Sequence, residues 1–385
     1  MAGLYIHIPF CRRRCNYCDF YFITNTALLD NFLAALSKEL VARANLLGDE
    51  PIETIYFGGG TPSLLAPTQL ETLLNLIAKT YPITSTLELT LEVNPEDVTE
   101  IYLTDLTRLG VNRLSLGVQS FRDSKLHWLS REHTAAQSCR ALELAQAHVE
   151  NVSIDLIFGI EHETLAEWEE ELKIAISLQP KHLSTYSLTV EPRTLLEKLI
   201  KRGLRQPPLD AVQVQMFLLT MQMLREQGYE HYEVSNFAKP GFHSRHNCAY
   251  WNRVPYLGVG PSAHSFVITS HSQERFANQP SLKAYLEAPE HSLSFREILS
   301  PKDIFNEMVL LGLRQGGGIN LSELEEKFRN FAPYFLTHLK QRAARLEALK
   351  TEGLIAIETQ NAQQIIKLTD KGFTLADAIA ESLFL

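Results

Sequence analysis

The sequence predicts an α/β protein: a partial (β/α)6 barrel followed by a mostly helical C-terminal domain of winged-helix outline. Through roughly the first half, short β-rich runs alternate with segments of helical periodicity, which is how βα units read. Several of the β runs are nearly continuously apolar, as buried parallel strands are. From Pro301 onward helical periodicity dominates, and two short β-like runs follow near the end.

The candidate strands are Leu4–Pro9, Thr54–Phe57, Thr86–Val93, Arg113–Val118, Val152–Phe158 and His182–Thr189. Between them, Leu29, Phe32, Leu33, Leu36, Leu40 and Val41 mark one helix, and Leu70, Leu73, Leu74 and Ile77 another. Leu103, Leu106 and Leu109 continue the series and stop at Gly110, a usual helix terminator. Leu142 and Leu144, then Trp168, Leu172 and Ile176, supply the later helices. Six strands with intervening helices favour a parallel barrel, closed or open, over a doubly wound sheet. In either, chemistry belongs at the C-terminal strand ends. Val212–Arg225 reads as a further helix, and Tyr229–Ser265 as irregular chain rich in Gly, Pro, His, Asn and aromatics. Ile304–Leu313, Leu321–Phe328 and Leu336–Glu352 read as helices, Ile355–Glu358 and Ile365–Leu368 as a hairpin tipped by Asn361–Gln364, and a last helix follows. These shifts in character divide the chain into 1–207, the barrel; 208–300, its extension; and 301–385, the winged-helix-like domain.

Composition narrows the function. Hydrophobic residues at 45% and charged residues at 21% suit a soluble globular chain, and no stretch is long and apolar enough to span a membrane. The start lacks a signal peptide's basic and apolar regions, so a cytoplasmic location is expected, with membrane association only through partners. A net charge of −9 argues against nucleic acid as a partner. The winged-helix outline does not reverse that, because from Pro301 on ten Lys and Arg stand against eleven Asp and Glu. Of five cysteines, three fall within eight positions, which points to metal rather than disulfides.

Those three form Cys11-Arg-Arg-Arg-Cys15-Asn-Tyr-Cys18, a CxxxCxxC run directly after the first strand. Thiolates suit iron–sulfur clusters and zinc. Three on one loop can hold a cubane and leave its fourth iron open, whereas a structural zinc site needs a fourth ligand, for which Asp19 or a distant His could serve. Arg12, Arg13 and Arg14 are expected to favour the thiolates. Gly58-Gly59-Gly60-Thr61-Pro62 follows the second strand and allows close backbone approach to a ligand. Glu92, Gln119 and Asp155 sit in or at the ends of apolar strands, where a polar group is costly without a partner.

CxxxCxxC after a first strand resembles the signature of the radical S-adenosylmethionine superfamily. The opening Tyr5-Ile-His-Ile-Pro-Phe-Cys11 is similar to the branch holding the oxygen-independent coproporphyrinogen oxidases and the HemW-type haem chaperones, and the resemblance covers nearly the full chain. It implies a 4Fe–4S cluster on Cys11, Cys15 and Cys18, with S-adenosylmethionine as cofactor. Gly58, Gly59, Gly60 and Thr61 would meet the methionine amino group, Gln119 and Asp155 the nucleoside, and Arg131 the methionine carboxylate. Tyr5 and Glu92 join the cofactor-binding set, and His7 and His133 belong beside it. One departure is Ile160-Glu161-His162 after Gly159, where the family has a Pro-Gly pair.

Within that branch the chain resembles the carriers more than the oxidases. The oxidases have a further cysteine two positions after the last cluster ligand, where this chain has Phe20, and an extension before the cluster strand, where this chain has ten residues before Cys11. His246-Asn247-Cys248-Ala249-Tyr250-Trp251 is similar to the carriers' HNxxYW signature. It implies haem as cargo, with His246 as an axial ligand, Asn247 orienting it, and Tyr250 and Trp251 facing the porphyrin. Read without the family, the same segment is a packed loop with a satisfied histidine. Cys248, His243 and His264 are further candidate ligands, and Cys139 reads as packing. The implied partners are haem-requiring acceptor proteins, respiratory or iron-storage.

Overall fold

The computed structural model describes residues 1–328, 342–360 and 363–385. Six parallel strands, β1 (Ala2–Ile8), β2 (Ile52–Gly59), β3 (Ile83–Val93), β4 (Arg113–Gln119), β5 (Asn151–Phe158) and β6 (His182–Ser187), lie side by side in chain order. Helices α1 (Leu29–Ala42), α2 (Pro67–Thr80), α3 (Glu100–Arg108), α4 (Asp123–Trp128), α5 (Ala135–His148) and α6 (Leu165–Ser177) fill the crossovers. Sequential order with right-handed crossovers puts the helices on one face. That is the winding of a barrel, not of a doubly wound sheet. β1 and β6 do not pair with each other, so the barrel is open.

The strands alternate more strictly than their composition suggests. Leu4, Ile6, Ile8, Ile55, Phe57, Leu91, Leu114, Leu116, Ile154 and Leu156 are buried on the helix-covered face. Their neighbours Tyr5, Tyr56, Thr90, Glu92, Ser115 and Asp155 face the other way, in register across the sheet. One face is therefore the apolar core, and the other is a polar surface available to a ligand. Helix starts follow from the sequence: Thr134 with Gln137 and Thr164 with Glu167 form reciprocal caps at α5 and α6.

The segment expected to be irregular is partly strand. After α7 (Leu195–Lys201) and α8 (Asp210–Glu226), β7 (Glu230–Glu233) and β8 (Asn236–Ala238) pair antiparallel onto β6. A helix α9 (Arg245–Trp251) follows, and β9 (Tyr256–Val259) then adds parallel to β1. β10 (His264–Ile268), β11 (Gln273–Asn278) and β12 (Leu293–Ile298) extend that edge antiparallel, giving a 12-stranded sheet. These strands are short and carry His, Glu, Asn and Arg, so no apolar run announces them.

The C-terminal part is helical with a small sheet, as expected. α10 (Leu282–Glu287), α11 (Pro301–Leu313) and α12 (Leu321–Phe328) precede a helix at Ala343–Thr351. β13 (Ile319–Asn320), β14 (Ile355–Gln360) and β15 (Gln363–Leu368) form a sheet in the order β13-β15-β14. The first turns of the expected Leu336–Glu352 helix and the hairpin tip at Asn361 and Ala362 lie outside the described residues.

Candidate functional site

At the C-terminal ends of the parallel strands lies a cavity of about 380 Å³, lined by Cys11, Cys15 and Cys18 on one wall and Gly59, Gly60 and Thr61 on the next. Glu92, Asn94, Gln119, Arg131 and Asp155 complete it. Residues spread over five strand ends thus converge on one space. Tyr5 and Gly58 stand one layer behind its lining: the Tyr5 hydroxyl lies 3.2 Å from His7 Nδ1, and a side chain at Gly58 would press on Tyr56, Glu92 and Tyr5.

The cysteine loop is pinned at its start and within it by backbone bonds, Cys11 N to Ile23 O at 2.9 Å and Leu196 N to Asn16 O at 2.8 Å. The neighbouring arginines do not serve the thiols as expected. Arg12 pairs with Asp97, Arg14 lies over the Phe22 ring at 5.9 Å, and Arg13 is exposed. Burial instead pushes the Cys11 thiol up to about 11 and that of Cys18 up to about 12. The cation beside the loop is Arg131, whose Nη1 lies 3.6 Å from Cys15 Sγ while Nη2 donates to Asn94 Oδ1 at 2.7 Å and to Gly117 O at 3.1 Å. His133 braces the same corner, with Nε2 2.9 Å from Val118 O and Nδ1 3.2 Å from Glu96.

Gly59 has φ +106 and faces the His7 ring, which a Cβ there would strike at 2.5 Å. Glycine is the only residue that fits. Its N–H donates to Glu92 Oε2 at 3.1 Å, and Tyr56 donates to Oε1 at 2.9 Å. Burial, reinforced by the Asp155 carboxylate, raises Glu92 to about 7 despite these two donors. Burial also raises Asp155, which accepts weakly from Ser115 at 3.3 Å. Two carboxylates facing one cavity with partly filled acceptor capacity suit a ligand carrying an amine and hydroxyls. Gln119 ends β4 at φ +65, a strained conformation for a residue with a side chain. It is held by Ser120 and the Phe121 N–H, which donate to the buried Glu171 carboxylate at 2.6 and 3.0 Å.

The opposite end of the barrel is closed by α9. Glu88, midway along β3, accepts from the backbone N–H groups of Arg245 and His246 at 3.1 and 3.0 Å. His246 is buried, with Nδ1 2.7 Å from Thr54 Oγ1 and Nε2 2.7 Å from the Tyr250 hydroxyl. Its ring stacks on Tyr56 at 5.1 Å. Burial lowers it to about 3.

The first part of the chain matches the family model of the Radical SAM superfamily over residues 5–175, and residues 299–375 match that of the HemN C-terminal domain. Relatives over the full length decide the family. The heme chaperone HemW of Bacillus subtilis is 35% identical over 98% of this chain and 98% of its own. The chain belongs to the HemW family. The Escherichia coli heme chaperone HemW is 38% identical over 69% of this chain and 70% of its own. A Bos taurus protein named radical S-adenosyl methionine domain-containing protein 1, mitochondrial, is 31% identical over 99% of this chain and 87% of its own. Among solved structures, the coproporphyrinogen III oxidase HemN of Escherichia coli, described as a radical SAM enzyme, superposes with a TM-score of 0.83 at 26% identity. That match covers 100% of this chain and 90% of HemN. The α/β radical SAM fold and the helical C-terminal domain are those expected.

Radical SAM membership implies a 4Fe–4S cluster and S-adenosylmethionine, and the donor set fits them. Three thiols from one loop line the cavity, and the Gly59–Gly60 wall is bare of side chains. Among the described residues no three His, Cys, Asp or Glu converge as one ion requires.

The HNxxYW segment, expected to offer an axial imidazole, forms α9 at the barrel floor. Both ring nitrogens of His246 are engaged and the ring is buried in the barrel floor, because it packs as a satisfied core histidine. The Tyr250 face meets the His246 ring edge-on at 4.7 Å and Tyr256 at 4.4 Å, leaving it to internal packing. Asn247 and Trp251 are half-buried on the same helix, with Asn247 N donating to the Ser244 cap and Trp251 O accepting from Gln315. His243 stacks on Tyr232 and pairs with Glu230, His264 is exposed beside Phe295, and burial pushes Cys248 up to about 11. Cys139 packs against the core, as expected.

Sequence reasoning missed Asn94 and Tyr56. Asn94 stands one residue past the apolar strand that ends at Val93, and that position was the available signal. Tyr56 sits in a strand rich in apolar residues, and nothing in the pattern announces a phenol aimed at Glu92.

Proposed function

We propose that this chain is a haem carrier of the radical S-adenosylmethionine type, which binds haem and passes it to haem-requiring acceptor proteins. The observation that carries the reading is full-length similarity to proteins named heme chaperone HemW, at 35% identity for the Bacillus subtilis relative. Cys11, Cys15 and Cys18 would hold the 4Fe–4S cluster, which supplies the electron for cleaving S-adenosylmethionine when both are bound. Arg131, beside Cys15, would pair with the methionine carboxylate, and its bonds to Asn94 and Gly117 fix its fork in advance. Gly59 and Gly60 would admit the methionine end without steric cost. Glu92 and Asp155 would accept from the amine and ribose, with Gln119 placed beside them by Glu171. Cofactor binding would return to Glu92 the charge partner that burial denies it.

The second reading, a coproporphyrinogen oxidase, draws on the superposition with HemN. Phe20 weighs against it, standing where the oxidases carry their further cysteine. Among the described residues no helix is long and apolar enough to cross a membrane, and a cytoplasmic carrier meeting its acceptors at the protein surface is the form we propose.

The test is an anaerobic assay of the reconstituted protein with coproporphyrinogen III and S-adenosylmethionine, run beside a haem titration. Haem bound at micromolar or tighter affinity with no porphyrinogen consumed is the expected result. Turnover of the porphyrinogen would make the chain an oxidase.

A further inference from the structure

We propose that haem docks on the rim of the cluster cavity, with its ring on Phe20 and its propionates on Arg13 and Arg14. The proposal deepens the carrier reading and rests on it.

The starting point is the closed state of α9. With both nitrogens of His246 bonded and its ring stacked on Tyr56, that end of the barrel offers no imidazole. A porphyrin needs a flat apolar face of comparable size and cations at the edge for two carboxylates. The rim of the cavity supplies both. Phe20 is 63% exposed, on a loop whose backbone is tied down by Cys11 and Ile23. Phe22 lies two residues on and lines the same cavity, with the Arg14 guanidinium over its ring.

Charge sorts the three arginines. Arg12 is committed to Asp97. Arg13 and Arg14 are exposed and, among the described residues, have no carboxylate partner. Arg13 on the cavity lining and Arg14 over the Phe22 ring put two positive charges near the exposed Phe20, which suits one macrocycle carrying two carboxylates. Asp19 is the acid nearest in sequence on that rim. It selects against a purely anionic ligand and leaves the aromatic face as the larger contribution. The occupant is therefore an amphiphilic dicarboxylate porphyrin rather than a nucleotide or free phosphate.

The experiment is a haem titration of anaerobically reconstituted full-length protein, followed by absorbance, for the wild type, Phe20→Ser, Arg13→Glu and His246→Ala. Iron content and the cluster's broad visible absorption are read on each sample. Phe20→Ser should weaken haem binding roughly tenfold to a hundredfold, the scale of burying one aromatic side chain. Arg13→Glu, at an exposed side chain with no carboxylate partner among the described residues, should weaken it about threefold to tenfold. His246→Ala should bind as the wild type does. Should Phe20→Ser lose its cluster, Arg13→Glu decides alone. Wild-type affinity in Arg13→Glu and in any cluster-loaded Phe20→Ser, or loss of binding in His246→Ala alone, overturns the site. A wild type that binds no haem overturns the carrier reading instead.

Discussion

The two ends of the barrel carry motifs of equal sequence prominence and opposite physical character. At the α9 end every strong donor and acceptor of the motif histidine is matched inside the chain, by Thr54, Tyr250 and Glu88. At the cysteine end the matching is incomplete. Thiols are pushed up by burial, two carboxylates share a cavity, and Gln119 is held in a left-handed conformation. A saturated end is what a folded floor needs, and an unsaturated end is what a ligand completes. Tyr56 joins the two, with the His246 ring on its face and Glu92 on its hydroxyl. The floor therefore sets the position of a carboxylate in the cavity above it.

The largest effect should come from the cysteine loop. Cys11→Ala, Cys15→Ala or Cys18→Ala should abolish the visible cluster absorption after anaerobic reconstitution, because three ligands leave none to spare. Iron content at the wild-type level in all three variants would remove the ligand assignment.

Next in size is the carboxylate that holds the mouth together. Glu171 is fully buried and accepts from Lys125 at 2.9 Å as well as from Ser120 and Phe121. Glu171→Ala strands part of a buried ion pair, and unfolding by urea should show a loss of about 3–5 kcal/mol. A loss below about 1 kcal/mol would mean the network behaves as a surface pair.

His246→Ala tests the floor. Two hydrogen bonds and a stacked ring are lost in one step, so the expected cost is about 2–4 kcal/mol with the cluster retained. Unchanged stability would mean the imidazole is not the packed group described and would reopen its role as a ligand.

The same contrast explains what the sequence made legible. β1 to β6 and their helices were readable because parallel strands under helices carry dense apolar runs and the caps Thr134 and Thr164 mark their starts. The cavity residues were readable as motifs, since Glu92, Asp155 and Gly59 stand out against apolar neighbours. β7 to β12 were not, because they are only three to six residues long and most of them interleave His, Glu, Asn, Gln or Arg with their apolar residues. The saturation of His246 was also illegible. Thr54 and His246 are 192 positions apart, and no local pattern links them. A histidine beside two aromatics reads alike whether it faces haem or a threonine.

The smallest effect concerns pH and separates the ends once more. Glu92 and, near the floor, Glu233 are each raised to about 7 by burial, from an ordinary value of 4.5. Between roughly pH 4.5 and 7 the folded chain holds protons that the unfolded chain has released. These two carboxylates therefore contribute stability that is present below that window and lost as pH rises through it, while the buried His7, His231 and His246, lowered by burial to about 4, 4 and 3, work in the opposite direction. Glu92→Gln removes one of the two contributions while keeping an oxygen for the Gly59 N–H and turning its amide NH2 to the Tyr56 hydroxyl, which can accept. Because the Glu92 carboxylate opens onto the water of the cavity, its share is discounted to about 1 kcal/mol. Urea midpoints at acid and neutral pH check it: the variant should match the wild type in acid and exceed it above neutrality. Parallel profiles across the range would mean the carboxylate is ionised in the empty cavity, and the demand for a cationic partner at that end would vanish with it.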